Sequence, residues 1–278
     1  MRTALAGIAV AVLAGLAACA GSAPVQPVAM SGALTQGGAV FGKTEPGATV
    51  TLGGRPVRVA KDGRFVFGLG RDAPATAILE IHHPGGVVGR MALTIAPRQY
   101  EVQRVEGLPQ NLVTPTPEEA ARIAREQAEV AQARTLDLDN PLFESGFIWP
   151  ALGPISGVYG SQRILNGTPS APHYGVDIAA PEGSPVVAPA DGVVTLAEPD
   201  LLLTGGTLVI DHGHGLSSTF IHMSRIDVAV GAHLRQGDAV GAVGATGRAS
   251  GPHLHWGMNW FELRLDPALV VGPMPATQ

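Results

Sequence analysis

Apolar residues along this 278-residue chain come in short bursts rather than long stripes. Between Gly37 and Ala96, the runs Thr49-Val50-Thr51-Leu52, Val57-Arg58-Val59, Phe65-Val66-Phe67 and Ile78-Leu79-Glu80-Ile81 are separated by Pro46-Gly47, Gly53-Gly54, Asp62-Gly63 and Pro84-Gly85. A spacing of about ten residues with turn dipeptides between predicts a small antiparallel sandwich, and Asp62-Gly63 between alternating segments is a strong hairpin signal. The unit reads as a spacer or a docking module. Thr116-Pro117-Glu118-Glu119 then opens a helix: Thr116 is the N-cap, Pro117 takes the first helical position, and Glu119 can close a capping box. The helix runs to about residue 134. Glu118 with Arg122 and Arg125 with Glu129 are spaced for ion pairs, which leaves Ala with Ile123 and Val130 as a shallow apolar stripe. That pattern predicts a solvated linker helix; the alternative is a helix that docks over a groove downstream and regulates it. Past Trp149-Pro150, repeated short Val- and Ile-rich runs with Gly and Asp turns predict a mainly antiparallel β domain.

Composition narrows the field. With 37 Gly and 23 Pro and no three-residue period, the chain is neither a helical bundle nor a collagen, and 45% hydrophobic against 15% charged residues argues against wholesale disorder. A net charge of −5 gives no basic footprint, so no nucleic-acid partner is expected. One cysteine excludes an internal disulfide and a four-thiolate metal site. Residues 1–18 carry one early positive charge, Arg2, and then an uncharged Ala, Val, Leu and Gly run too short for a membrane span, which reads as a secretory signal. Leu16-Ala17-Ala18-Cys19 resembles the lipobox of bacterial lipoproteins. The resemblance implies a lipid on Cys19 and a protein anchored to a membrane of the periplasm; Ala20 leans towards the outer membrane of a Gram-negative cell. The alternative is a soluble secreted protein cut near Ala18 or Ala20. Residues 19–36, small and polar at first, read as a flexible tether.

The candidate chemistry lies in the last half, where seven of the nine histidines fall between His173 and His255. His173 and Asp177 are four apart and share a face of a helix or an extended strand, with Gly175, Val176 and Ile178 favouring the latter. His253 and His255 are two apart, so on a strand through Leu254-His255-Trp256 both imidazoles project from one face while Leu254 and Trp256 face the core. Two like-facing imidazoles need partners for their ring nitrogens, and a metal is the economical one. Imidazole and carboxylate donors without thiolate suit zinc in a catalytic site, with manganese not excluded by ligand type. His212 and His214, in Asp211-His212-Gly213-His214-Gly215, read as hairpin-turn residues, and His233 as a loop position.

His-x-x-x-Asp, an isolated His222 in Phe220-Ile221-His222-Met223, and Gly251-Pro252-His253-Leu254-His255-Trp256-Gly257 resemble the lysostaphin-type, or LytM-like, zinc metallopeptidases that cut peptidoglycan peptides. The likeness extends through Asp177-Ile178-Ala179-Ala180-Pro181, Ala188-Pro189-Ala190-Asp191-Gly192 and Val243-Gly244-Ala245-Thr246-Gly247. It implies a fold of the duplicated hybrid motif type, one zinc per chain held by His173, Asp177 and His255, and His222 and His253 lining the site as catalytic residues. The implied partner is peptidoglycan, cut at the D-alanyl-diaminopimelate crosslink. The other function class in the same family is a non-hydrolytic protein that activates a cell-wall amidase. Arg163 and Asn166, in a stretch that departs from a minimal domain, are expected on a groove wall in contact with substrate. The expected organisation is mainly β: a signal over 1–18, a tether over 19–36, a small β-sandwich-like module over 37–105, a linker over 106–148 containing the helix 117–134, and an antiparallel peptidase domain over 149–273. The small module is a candidate dock for an envelope protein.

Overall fold

A computed structural model describes residues 28–105, 115–165 and 167–275. The signal segment, Cys19, the first part of the tether and Asn166 lie outside the described residues.

In chain order the first strands are β1 (Ala29–Gly32), β2 (Ala39–Lys43), β3 (Thr49–Leu52), β4 (Arg55–Val57), β5 (Arg64–Gly68), β6 (Thr76–His82), β7 (Val88–Thr94) and β8 (Val102–Val105). Helix α1 (Pro117–Ala133) follows. The second half continues with β9 (Ile155–Gly157), β10 (Gln162–Leu165), β11 (Thr168–Pro169), β12 (Val176–Ala179), β13 (Pro185–Val187), β14 (Gly192–Leu201) and β15 (Gly205–Asp211). It ends with β16 (Leu216–Met223), β17 (Arg225–Ile226), β18 (His233–Leu234), β19 (Ala239–Ala242), β20 (His253–Trp260) and β21 (Leu263–Leu265). The protein is mainly β and antiparallel. Two small sheets, β1-β2-β5 and β4-β3-β6-β7, build the N-terminal module. An eight-stranded sheet, β18-β14-β15-β16-β20-β12-β9 with β21 alongside β20, carries the second half. At the Asp62-Gly63 turn the chain folds back through Gly63, whose φ of 91° a side chain would resist.

The β module is not a spacer. A single cluster of buried side chains runs from Val40, Phe65 and Phe67 through Phe143 to Trp256 and Leu265. Gly68 of β5 lies so close to β20 that a Cβ there would sit 2.7 Å from the Trp260 Cβ. Arg55 places its guanidinium 4.4 Å above the Trp260 ring, and Arg98 pairs with the buried Asp266 at 2.8 Å. Both halves therefore share one core.

Three expected boundaries change for related reasons. The tether was expected to reach residue 36, but β1 pairs antiparallel with β2 from Ala29 onward. The linker expected over 106–148 is packed in its last part: Phe143 is buried, and Arg58 of the module bonds to Asp137 and Asp139. β8, counted with the β module, pairs in parallel with β10 across to the second half. Helix α1 has the capping box of Thr116 and Glu119 in place. No residue of α1 is fully buried, yet the helix is not free in solvent. Glu126 accepts from the Leu202 amide at 2.8 Å, Arg122 donates to the Asp200 carbonyl at 2.8 Å, and Arg134 at the C-cap donates to Thr219 Oγ1. These polar side chains join the shallow apolar stripe, whose Ile123 and Val130 are half-buried over the large sheet.

Candidate metal centre

β12 and β20 lie side by side in antiparallel register, with Asp177 opposite His255 and Ala179 opposite His253. On β20 the side chains alternate: Leu254 and Trp256 are fully buried in the core, while His253 and His255 point to the other face. His173 enters from the loop before β12, not from the strand itself, and is fixed there by backbone bonds on both sides: its amide donates to Ser161 and its carbonyl accepts from Gly160, each at 2.7 Å. One focus results. His173 Nε2 lies 3.0 Å from Asp177 Oδ1 and 2.9 Å from His255 Nδ1, and His255 Nδ1 lies 2.8 Å from the same Asp177 oxygen.

Those three atoms fit a cation. His173 Nδ1 lies 3.0 Å from the Val158 carbonyl, which can only accept, so the ring proton sits on Nδ1. In a neutral ring that leaves the Nε2 lone pair against a carboxylate oxygen, a repulsive contact that a metal at the focus turns attractive. Burial pushes the His255 imidazole down to about 4, so at neutral pH it offers a lone pair instead of a charge. Burial also works to raise the Asp177 carboxyl, but the two imidazoles outweigh it and hold the group well below the usual range. Two imidazole nitrogens and one carboxylate oxygen, with no thiolate, form the donor set of an open site.

Glycines make room for it. At Gly175 a Cβ would sit 2.6 Å from His255 Nε2, and at Gly157 of β9 it would sit 2.8 Å from Asp177 Cγ and closer still to Oδ2. Spacing and residue type give no sign of either role, since both depend on strands brought alongside by the fold.

His222 and His253 complete the group, with ring centroids 4.8 Å apart. His222 Nδ1 lies 2.8 Å from the Thr246 carbonyl and His253 Nδ1 lies 2.8 Å from the Gly251 carbonyl, so in both rings Nε2 is the atom left for the site. His253 Nε2 is 3.9 Å from Asp177 Oδ1. His222 adopts a φ of 66°, an expensive conformation for a residue with a Cβ, and the surrounding structure enforces it. Its amide donates to the Thr204 carbonyl, while Thr246 Oγ1 bonds to Met223 and Gly206 and so fixes the loop that receives the ring. Burial pushes the His222 imidazole down, favouring the neutral ring.

The remaining expectations divide. Arg163 lies on β10, opposite Gln103 of β8, in a sheet separate from the one that carries the ligands. His212 and His214 occupy the β15–β16 turn, as their spacing between the two strands predicts, and both are buried there. His212 bonds to the Asp191 carbonyl and to Ser218, and each ring meets a phenylalanine of the 143–147 segment edge-on. His233 forms a short strand with β14 rather than a loop.

The model of peptidase family M23 matches residues 171–267. The DD-carboxypeptidase/endopeptidase Mpg of Neisseria meningitidis is 39% identical over 103 residues, 37% of this chain and 24% of its own. The peptidoglycan DD-endopeptidase ShyA of Vibrio cholerae is 41% identical over 86 residues, 31% of this chain and 20% of its own. The chain thus spans about a quarter or less of the length of these curated relatives. A crystal structure of a peptidase M23 from Pseudomonas aeruginosa is alike over nearly all of its length, with a TM-score of 0.65 and 31% identity across 85% of this chain and 94% of that one. A likeness that reaches through the β module as well as the ligand-bearing strands shows that this chain belongs to peptidase family M23.

Proposed function

We propose that the protein is a zinc endopeptidase that hydrolyses the peptide crosslinks of peptidoglycan at the D-alanyl-diaminopimelate bond. The observation that carries this reading is the convergence of His173 Nε2, Asp177 Oδ1 and His255 Nδ1, all within 3.0 Å of one another, beside two further imidazoles. These three residues would hold the zinc. Bound there, zinc supplies Lewis acidity that polarises a carbonyl and acidifies water. The chain's own part is proton handling and placement. His222 and His253 each keep Nδ1 committed to a backbone carbonyl, so each ring can take a proton at Nε2 or return one to the leaving amine. The low basicity of buried His222 keeps it ready to accept rather than already charged. The relatives' names, DD-carboxypeptidase/endopeptidase and peptidoglycan DD-endopeptidase, support a crosslink as substrate. A lipid on Cys19 would hold the enzyme in the periplasm, facing that substrate.

The test is digestion of diaminopimelate-type crosslinked peptidoglycan, with and without chelator, beside His255→Ala, reading muropeptide dimers and monomers by mass. Conversion of dimers to monomers that chelation and the substitution both abolish is the expected result. A folded, zinc-loaded protein that leaves dimers intact would overturn the endopeptidase reading in favour of an amidase activator.

A further inference from the structure

A cleft of about 410 Å³ opens beside His255, floored by β16 and β20 and roofed by α1. Two arginines from distant parts of the chain meet in it: Arg134 from the C-cap of α1 and Arg264 from β21. Arg134 donates through Nε and Nη2 to the hydroxyl of Thr219, at 3.2 and 3.1 Å. Arg264 reaches Asn259 Oδ1 at a long 3.3 Å and lies 5.8 Å from the centre of the Tyr174 ring. These partners are neutral. Among the described residues no carboxylate pairs with either guanidinium; Glu126, which also faces the cleft, is bonded to Arg122 and to the Leu202 amide. Burial and the neighbouring Arg264 push Arg134 down to about 9, and burial lowers Arg264 as well. Two like charges kept close, largely out of water and without a counter-ion are costly, and an anion between them would remove that cost.

The geometry points to a carboxylate-binding subsite formed by Arg134 and Arg264, which reads the free carboxylate on the leaving side of the scissile bond. The inference rests on the proposed endopeptidase. In a D-alanyl-diaminopimelate crosslink, the carbon bonded to the scissile nitrogen also bears an unblocked carboxylate, so the carboxylate carbon lies two covalent bonds from that nitrogen and three from the carbonyl carbon. The cleft offers matching placement. Ile221 of β16 stands opposite His255, and Thr219, the anchor of Arg134, lies two residues away on the same strand, about 7 Å along it. Gly257 faces Thr219 across the strands, and a side chain there would press on the Tyr174 carbonyl and come into contact with the His255 ring. Arginine suits the role because its planar fork takes a carboxylate through paired N–H donors, and Arg134 keeps Nη1 beyond its bonds to Thr219.

The experiment uses the metal-loaded protein and two crosslinked peptides that differ only in whether the diaminopimelate carboxylate is free or a carboxamide. Charge-assisted bonds of this kind predict a preference for the acid of about 10- to 100-fold in kcat/KM, carried mainly by KM. Arg134→Gln and Arg264→Gln should bring the ratio of acid to amide cleavage close to one, and Arg134→Lys should retain part of the preference. Equal cleavage of both peptides by the unaltered protein, or parallel loss of both in the variants, overturns the subsite. A second arm measures binding of the monomeric product muropeptide, as acid and as amide, by calorimetry. If neither crosslinked peptide is cut but the acid monomer still binds about tenfold tighter, the endopeptidase reading falls and the subsite stands. With no preference in binding either, the subsite falls too.

Discussion

Gly157→Ala isolates the placement of one ligand from everything else in the site. The glycine does not adopt positive φ, so alanine fits the backbone, and β9 is the edge strand of its sheet. What alanine does not fit is the space: its Cβ would stand 2.8 Å from Asp177 Cγ and nearer to Oδ2. Restoring ordinary van der Waals distance requires the carboxylate to retreat by roughly 1 Å. A metal ligand tolerates about 0.2 Å, so Oδ1 would leave the focus it shares with His173 and His255. Supporting residues around metal ligands are worth about 10- to 100-fold in affinity, and a displacement this far past tolerance places the loss at the upper end, about 100-fold. The assay is zinc titration of metal-free protein against a chromogenic chelator, with thermal unfolding of the metal-free form in parallel. Unchanged zinc affinity would refute the reasoning, because it would mean that β9 yields and Asp177 does not.

His222→Ala should lower kcat by about 100-fold or more while zinc affinity stays within a few-fold, since the ring lines the site without joining the three donors; steady-state kinetics beside the zinc titration separate the two. Asp211 is buried and its carboxyl is raised to about 6, so the folded state prefers it protonated, and its contribution to stability is lost as pH climbs from about 4 through 6. His212 is lowered to about 4 and runs the other way, its contribution lost as pH falls from about 6.5 through 4. Asp211→Asn removes the first effect alone, so chemical denaturation should find the variant losing about 2 kcal/mol relative to the parent between pH 7 and pH 4; a constant difference across that range would refute the assignment. Thr116→Ala removes the side-chain cap of α1 and should cost the helix about 1 kcal/mol, read as faster amide exchange over its first turns.

The His253 and His255 pair was legible because a strand imposes it, whereas His173 sits in the loop before β12, where no strand period places it. Two residues apart on β20 means one face, and a metal is the simplest reason to put two imidazoles there. The helix start was legible too, since capping is local: Thr116 and Glu119 bond to each other's backbone whatever the rest of the chain does. What escaped was everything set by distant contact. Nothing in the linker composition shows that Phe143 and Phe147 will pack on His214 and His212, so the burial of these two turn histidines did not show in the sequence. Arg134 and Arg264 are ordinary surface-type residues in sequence and become a pair only when α1 is laid on the sheet. The docking of α1 escaped for a related reason: Arg122, Glu126 and Arg134 add to its weak apolar stripe, and charged side chains on a helix look alike whether they meet water or a backbone carbonyl.

The fit of Gly68 against Trp260 also limits how this architecture can be rearranged. Because no atom can be added at Gly68 without moving the indole or the neighbouring Leu265, the seam between module and peptidase domain is a matched pair of surfaces. A chimera that grafts another peptidase domain beneath this module inherits a socket cut for one tryptophan. Its success would depend on the residues imported at positions 260 and 265 as much as on the catalytic residues it was built to exchange. The module and the domain are therefore units of shape that have to be exchanged together.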